Sequence, residues 1–550
     1  MLFRSIQSQL DSVYGKQDSA QFGTGRYAYF FKPGSYSNDV KIGFYTQAIG
    51  LGQSPDNVTI SGAVRSKADW LGDNNATCNF WRGAENLAVS PTSAIDGGTD
   101  VWAVSQGTHL RRMHIKGNIN LDDGGWSSGG FIVDSLVDGN INSGSQQQFI
   151  TRNNDQNWTG QNWNMVFVGD PNAPAGDSWP NPPYTNTDAV PVVREKPFLY
   201  LDDSGNYLVM VPNLKSNSKG HSWGDGTPPG SPLSIDRFYI AKADSDTSTT
   251  LNAALAAGKH LLLTPGEYHL DSALQVNQAG TIILGLGIST LTAEKGNAVI
   301  SVADVDNVTL AGFVLEAGAQ NSTTLLQLGP TGSSADHTAA PTVVFDVHCR
   351  VGGAVVGKTS SCTTVNSNHV IIDNTWLWRA DHGNDNTAGW TQNPSNNGII
   401  VNGDDVTIYG LFSEHFQQYQ TLWNGERGNV FFYQSEMPYD PPDQGSWMAS
   451  PGHNGYPSYK VADSVKTHHA EGLGVYSVFQ QDVTSENSIE TPTGSGISMT
   501  HMVSVSLASG SISHIINDTG GTVGNGGGQD RKSTRLNSSH QGTSRMPSSA

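Results

Sequence analysis

The sequence opens in the same way twice, and this internal repeat restricts the possible folds more than any other feature. The first copy reads "IQSQLDSVYG" and then "YAYFFKPGSYSNDVKIGFYTQAIGLG"; the second begins at residue 250 and reads "TLNAALAAGKHLLLTPGEYHLDSALQVNQAGTIILGLG". Each copy has a short helical pattern, an apolar strand, Pro-Gly (from Pro33 and Pro265), an aromatic residue (Tyr36 and Tyr268), another strand and Gly-Leu-Gly. The repeat predicts two units of one architecture in tandem.

Short strands with alternating apolar and polar residues follow each opening, separated by Asn, Asp and Gly. Examples are "DNVTISGAV", "DNVTLAGFVLEAG", "DDVTIYGLFSEHF" and "GNVFFYQSEMPYD". The first valines of four such strands, Val308, Val370, Val406 and Val430, are separated by 62, 36 and 24 residues. One coil of a parallel β-helix takes roughly 20 residues or more, and insertions lengthen it. We therefore predict an all-β protein of two tandem right-handed parallel β-helices, in which short helices cap the first edges.

The repeat also sets the predicted domains. The first β-helix is expected over residues 1–190, a hairpin and Gly- and Pro-rich linker over 191–235, and the second β-helix over 236–529. A β-sandwich is the competing all-β fold, but it does not explain a helix before each strand series. Residues 530–550, "DRKSTRLNSSHQGTSRMPSSA", resemble a translated sequencing adapter, so we expect no structure from them.

Composition narrows the class of protein. The chain has 63 glycines and only 14% charged residues, which is typical of a β-rich protein with many turns. A net charge of -19 disfavours binding to nucleic acid. No apolar run is long enough to span a membrane. We expect a secreted monomer, although the first residues lack the apolar core of a signal peptide and the natural start lies upstream in this interpretation.

The cysteines and histidines predict no metal site or cofactor. Cys349 and Cys362 flank one loop and could form a disulfide in an exported protein, whereas Cys78 has no evident mate. The cysteine spacing fits no zinc motif. His468 and His469 are adjacent, so on a strand their side chains point to opposite faces.

Two glutamates stand at equivalent places in successive strands. Aligning "LFSEH" with "YQSEM" superposes Glu414 on Glu436, 22 residues or about one coil later. On neighbouring strands their β-carbons would be about 5 Å apart. Alternation puts both on the same face as Phe412, Phe432 and Gln434, and we expect that face to point outward because a β-helix core cannot hold unpaired carboxylates.

This pair is suited to cleaving a glycosidic bond. The reaction needs a protonated carboxyl group for the leaving oxygen and commonly a second carboxylate for water. Repulsion between the two acids would keep a proton on one of them to higher pH. Glu436, beside Phe432, is the predicted acid and Glu414 its partner. The alternative is two solvated acids on the outside of a β-helix.

The double opening, together with "LWRADHG", "NGDDVTIYGLFSEHFQQYQTLWNGE" and "FFYQSEMPYDPP", resembles glycoside hydrolase family 55 over essentially residues 1–529. The likeness is greatest to the bacterial exo-β-1,3-glucanase branch. It implies a rib-cage of two β-helices with the active cleft between them, and inverting hydrolysis of β-1,3-glucan (laminarin) from the chain end. It also implies that Glu436 is the general acid and Glu414 the second essential glutamate.

The resemblance further implies that a Gln and a Ser of the first β-helix hold the attacking water. The matching segments "WAVSQGT" and "DDGGWSSGG" offer Gln106 and Ser128, and the glutamine run at 146–148 competes with them. The two carboxyl groups of an inverting glycosidase are usually about 6.5 to 9.5 Å apart, which is farther than the spacing of adjacent strands suggests. Divergent side chains could supply the difference, or a water network could replace a dedicated base.

Several other residues are predicted to contact sugar. Aromatic rings stack on sugar faces, and Trp447 is a strong candidate because it lies in the loop "DQGSWMASPGHNGYPSY". Asp381 and His382 could orient hydroxyl groups or form a structural turn. The remaining aromatic candidates are Trp376, Trp378, Trp390, Trp423 and Tyr439.

The sequence leaves two other functions open. A polysaccharide lyase on the same scaffold would need an acidic calcium site and a basic residue against a uronate, and the two Glu-bearing strands offer neither. In a non-catalytic glycan-binding β-helix, the glutamate pair would be incidental.

Overall fold

The computed structural model describes residues 5–226, 229–524 and 526–533. Within these ranges the chain is built mainly from short strands, with two α-helices, α1 (Ile6–Gln17) and α2 (Ser248–Ala256). Each helix precedes one of two strand series, as the sequence repeat predicts. Among the described residues no helix combines the length and apolar character needed to cross a bilayer.

The first series forms one sheet in which every strand pairing is parallel. Its main path runs β1-β4-β6-β8-β10-β12-β14-β15. The strands are β1 (Tyr27–Phe31), β2 (Gly34–Tyr36), β3 (Asp39–Lys41), β4 (Thr46–Gly50), β5 (Val58–Arg65), β6 (Arg82–Pro91), β7 (Thr99–Val101) and β8 (Thr108–Ile115). They continue with β9 (Asn118–Asn120), β10 (Phe131–Val133), β11 (Leu136–Asn142), β12 (Gln148–Arg152), β13 (Asp155–Thr159), β14 (Asn164–Val168) and β15 (Tyr184–Thr187).

The segment between the two series is antiparallel. One pair joins β16 (Val190–Val193) to β19 (Lys215–Ser218), and a three-stranded sheet contains β17 (Phe198–Leu201), β18 (Tyr207–Pro212) and β20 (Gly230–Ser234). These strands fall within residues 191–235, the range predicted as a hairpin and linker, except for the first residue of β16.

The second series forms two long sheets. The larger sheet contains β21 (Phe238–Ala241), β22 (His260–Leu263), β23 (Glu267–Leu270), β25 (Ile282–Ala293), β27 (Thr309–Ala317), β29 (Val343–Val351), β31 (Ile371–Arg379), β33 (Thr407–Glu414), β35 (Gly428–Glu436), β39 (His468–Ser477), β41 (Ile497–Ser506) and β44 (Gly528–Ser533). The other contains β24 (Leu274–Val276), β26 (Ile300–Val302), β28 (Leu326–Leu328), β30 (Thr359–Val365), β32 (Ser395–Val401), β34 (Thr421–Trp423), β38 (Tyr459–Val461), β40 (Thr484–Glu490), β42 (Ser511–Ile516) and β43 (Val523–Gly524). A small hairpin joins β36 (Met448–Ser450) to β37 (His453–Asn454).

From β24 to β35, successive strands alternate between the two long sheets, and their pairings are parallel. The prediction of an all-β chain with mostly parallel strands is confirmed. At the far end, β43 and β44 pair antiparallel with their neighbours. Residues 530–533 therefore continue a strand, contrary to the expectation of no structure from residue 530; residues 534–550 lie outside the described residues.

The apolar core has three main parts. One lies inside the first series and includes Val89 and Phe149, and a second lies inside the later series and includes Leu377 and Tyr433. The third contains aromatic residues of both series, such as Trp81, and joins them. Cys349 and Cys362 form a buried disulfide inside the later series, while Cys78 is free.

Charged residues are also buried where the two series meet. The Arg152 guanidinium binds both oxygens of Glu195 at 2.8 Å and Asp373 Oδ2 at 2.7 Å. Arg111 binds Asp373 at 3.0 Å and Asp346 at 2.9 Å. Burial alone would lower the pKa of Arg152, but Asp373 and Glu195 outweigh it and hold the pKa well above its ordinary value. We call these residues, with Glu85, His109 and Lys196, the interface ion cluster.

Candidate active site

Glu414 and Glu436 lie opposite each other at the ends of adjacent parallel strands. The register of β33 with β35 pairs Glu414 directly with Glu436. Leu411 and Tyr433 point into the core of the second series, whereas Phe412 points into the cluster between the series. The strand alternation inferred from sequence therefore places the glutamates on the face that meets the first series.

The face points out of the core of the second series, as alternation predicts, but it is not open to solvent at Glu414, which argues against the alternative of two solvated acids. Glu414 is only 3% exposed because the first series covers it. Its Oε1 accepts a hydrogen bond from Gln106 Nε2 at 2.9 Å, and its Oε2 accepts one from Trp376 Nε1 at 2.8 Å. Burial, and then repulsion from Glu436, raise the pKa of Glu414 to about 8. The pair therefore keeps one proton through the neutral pH range.

Glu436 is the more accessible member of the pair. Its side chain is 15% exposed. Its Oε2 accepts a hydrogen bond from the Tyr439 hydroxyl and lies 3.4 Å from His415 Nε2. Its Oε1 accepts a long hydrogen bond of 3.5 Å from Gln434 Nε2. Glu436 can thus meet a bound substrate while the residues around it fix its orientation.

Gln106 and Ser128 come from the first series and lie beside this pair. Gln106 follows β7, Ser128 follows β9, and Ser128 Oγ donates to Gln106 Oε1 at 3.4 Å. The competing glutamine run is close as well, because Gln148 Nε2 donates to the Ser128 carbonyl at 3.2 Å. Gln146 instead binds backbone groups, including the carbonyl of Val104 at 2.9 Å.

Two buried amide oxygens at this site have no hydrogen-bond partner within the described part of the chain. They are Gln148 Oε1 of the first series and Gln434 Oε1 of the second. Buried polar atoms are normally paired, so each is a free acceptor for a polar ligand.

Four of the predicted sugar-stacking residues are buried, Trp376, Trp378, Trp423 and Trp447, which corrects their assignment. Trp423 and Trp447 pack in the core of the second series. Trp378 stacks on Trp376, with ring centroids 4.8 Å apart, in the cluster between the series. Of the other candidates, Trp390 is half-buried beside Arg379, and Tyr439 is half-buried beside Glu436.

One exposed aromatic residue was missed by sequence reasoning. Trp126 is 42% exposed and stands two residues before Ser128 in the chain. The Gly-rich loop "DDGGWSSGG" was the available signal, since such loops frequently carry binding residues.

Asp381 and His382 reach the site through His415, another residue that sequence reasoning did not single out. His382 Nδ1 lies 3.0 Å from Asp381 Oδ1, which is also 3.6 Å from His415 Nδ1. Burial disfavours a charge on His415, but Asp381 and Glu436 outweigh it and raise its pKa to about 9. An imidazolium therefore borders the acid pair.

Potential metal ligands gather away from this pair. In the described ranges, Glu85, His109 and Asp346 place ligand atoms within 4.8 Å of one another. The Lys196 ammonium contacts Glu85 and lies 3.1 Å from Asp346. A side-chain cation thus already neutralises this group, which belongs to the interface ion cluster.

Comparisons with known proteins place the chain in a family. It is 47% identical over 522 residues to an exo-β-1,3-glucanase of Streptomyces sp. (strain SirexAA-E / ActE), covering 94% of this chain and 84% of that protein. The chain belongs to glycoside hydrolase family 55. The LAM55 pectate lyase-like domain matches residues 238–436.

Solved structures of this family agree in fold. The structure of sacteLam55A from Streptomyces sp. SirexAA-E matches with a TM-score of 0.93 and 45% identity over 97% of this chain and 96% of that chain. A variant of the same protein in complex with glucose matches with a TM-score of 0.92 and 45% identity, over 96% of each chain. The LAM55 match ends at Glu436 and includes Glu414, whereas Gln106 and Ser128 lie outside it in the first strand series.

Proposed function

We propose that this family 55 protein hydrolyses β-1,3-glucan such as laminarin, from the chain end and with inversion, on a rib-cage of two right-handed parallel β-helices. The observation that carries the proposal is the in-register pair of Glu414 and Glu436, one buried and one accessible. The name of the Streptomyces relative supports the substrate, and the glucose complex of its variant supports a saccharide site.

Glu436 is the proton donor in this mechanism. Its carboxyl proton passes to the glycosidic oxygen while the bond from that oxygen to C1 breaks and its electron pair stays on the oxygen. Glu436 suits this role because it is partly exposed and its orientation is fixed by Tyr439 and His415.

Glu414 acts on the water side of the reaction. The water oxygen, with the water held by Gln106 and Ser128, bonds to C1 from the opposite face, and its proton passes to the Glu414 carboxylate. The oxygens of Glu414 are directed to Gln106 and Trp376, whereas Glu436 is directed to Tyr439 and His415. These divergent directions favour the wider separation that inversion requires. The proton that burial keeps on Glu414 in the free protein must pass to Glu436 when the substrate binds, so that Glu414 is a carboxylate and Glu436 an acid when the bond breaks.

We also propose that the protein acts outside the cell as a monomer. The buried disulfide between Cys349 and Cys362 supports an oxidising compartment. The low fraction of charged residues is in keeping with extracellular carbohydrate-active proteins.

The test is glucose release from laminarin by the wild type, Glu436→Gln and a control, Glu294→Gln, whose carboxylate is exposed on the second series. We expect Glu436→Gln to lose about a thousandfold in kcat, within the usual range for general acid catalysis, and the control to retain activity. Proton NMR should show α-glucose as the first anomer released. A folded Glu436→Gln variant of normal activity would refute the assignment, and an unsaturated, ultraviolet-absorbing product would instead indicate a lyase.

A further inference from the structure

His415 lies between the accessible acid and a second carboxylate. Its Nε2 is 3.4 Å from Glu436 Oε2, and its Nδ1 is 3.6 Å from Asp381 Oδ1. The Nδ1 atom is also 3.2 Å from the Arg379 carbonyl, and the His415 side chain is only 4% exposed. Both ring nitrogens thus face oxygen atoms, as an imidazolium requires.

The charged and titratable groups around His415 come from four segments. Asp381, held by His382, follows β31, and Glu414 precedes His415 at the end of β33. Glu436 ends β35, and the Tyr439 ring lies 4.3 Å from the imidazole. The groups nearest to the His415 ring are therefore mostly acidic and favour its charged form.

Among the residues that the structure describes, Arg379 supplies the guanidinium that contacts His415. Its Nη1 donates to the His415 carbonyl at 3.1 Å, and its charge is paired with Asp440 at 2.8 Å. Arg379 thus fixes the backbone of His415, and Asp440 offsets its positive charge.

The backbone at His415 is held in an uncommon conformation. Its φ is 68°, in the left-handed region that non-glycine residues seldom adopt. The His415 N–H donates to the Glu436 carbonyl at 2.8 Å, so this conformation also ties the ends of β33 and β35 together. Such strain persists where neighbouring contacts enforce it, and it is concentrated at functional sites.

We propose that His415, held as an imidazolium by Asp381, is a positioning residue that makes Glu436 a better proton donor. The inference rests on the proposed function, because it assumes that Glu436 is the acid. When Glu436 gives its proton to the leaving oxygen, it becomes a carboxylate beside Glu414. The imidazolium keeps its own proton and stabilises that new charge in a site with little water. After product release, Glu436 regains a proton from solvent.

Leaving groups that differ in their need for a proton provide the test. Laminaritriose needs protonation of a sugar oxygen, whereas β-glucosyl fluoride releases fluoride with little acid assistance. We compare Glu436→Gln, His415→Asn and Asp381→Asn, with Asp385→Asn as an exposed control in the same loop. Asparagine is the chosen replacement for His415 because it tolerates the left-handed backbone conformation but carries no charge.

We expect His415→Asn to lower kcat on laminaritriose by about 10- to 100-fold with little change in KM, and to lower hydrolysis of the fluoride by less than about threefold. Asp381→Asn should move the alkaline limb of kcat on laminaritriose to lower pH, because the imidazolium loses the carboxylate that raises its pKa. Asp385→Asn should leave kcat on both substrates and the pH profile unchanged.

The outcomes separate this inference from the proposed function. If Glu436→Gln is equally slow on both substrates, Glu436 is not the acid and the proposed function fails. If Glu436→Gln is slow only on laminaritriose while His415→Asn is equally impaired on both, the inference about His415 alone is overturned. Asp381→Asn leaves His415 in place, so an unchanged pH profile in that variant would overturn the inference even if His415→Asn did not fold.

Discussion

Replacing Arg152 with methionine tests how strongly the interface ion cluster holds the two strand series together. Arg152 is fully buried and makes four hydrogen bonds, two to Glu195 and two to Asp373. Methionine fills similar space without charge. Arg111 would still neutralise Asp373, but Glu195 would lose its main cationic partner.

The expected cost follows from that uncompensated charge. Removing one partner of a buried ion pair usually costs about 3 to 5 kcal/mol, because the other charge stays buried. The unfolding entropy of about 2 cal/mol/K per residue gives about 1 °C per kcal/mol for a chain of this length, so Arg152→Met should lower Tm by roughly 3 to 5 °C. Arg152 lowers the pKa of Glu195 against the opposite effect of burial. The variant should therefore regain part of the stability it loses relative to the wild type at acidic pH, where Glu195 is protonated in both the folded and the unfolded protein.

Arg427→Met is the matched control. Arg427 also binds two carboxylates, Asp404 and Asp405, but its side chain is 52% exposed. Exposed pairs contribute about 0 to 1 kcal/mol, so the control should melt close to the wild type. Calorimetry and urea unfolding would measure both variants. Equal, small shifts for Arg152→Met and Arg427→Met would refute the reasoning that burial makes this cluster important.

Three further outcomes are expected. Gly107 has φ 70°, and a β-carbon there would stand 2.9 Å from the Trp376 ring. Gly107→Ala should therefore displace the indole that donates a hydrogen bond to Glu414, and kcat should fall about tenfold. Gly97→Ala, at φ 68° in open space, should leave kcat unchanged; equal kcat in the two variants would contradict this. Reducing the disulfide, which links residues 13 apart, should cost about 3 kcal/mol, and an unchanged Tm after verified reduction would argue against it. Because the pKa of Glu414 is raised on folding, its contribution to stability is present below about pH 4 and is lost as pH rises towards about 8. In urea unfolding, Glu414→Gln should therefore gain stability relative to the wild type at pH 8 but not at pH 4.

The sequence predicts those features that depend on spacing along one strand series. The 22-residue interval between Glu414 and Glu436 equals one coil, so their register follows from alignment of two strands. The disulfide between Cys349 and Cys362 joins strands that are consecutive in the chain.

Features that depend on contact between the two series could not be predicted in this way. Glu414 is buried because the first series covers it, and Arg111 finds Asp373 from 262 positions away. No local pattern encodes such contacts. The tryptophan assignments failed for a related reason, since Trp423 alternates into the core and Trp447 folds back from a loop onto it.

The hydrogen bond between Gln106 and Glu414 spans 308 positions and joins the two strand series at the proposed active site. In the proposed mechanism, turnover is therefore a property of the docked halves and of neither half alone. If the chain were divided in the antiparallel segment between β16 and β20, the rate of catalysis would report how much of the two fragments had associated. Substitutions in the two halves are therefore constrained together, because a change in the packing of one half displaces a group that the other half needs for catalysis.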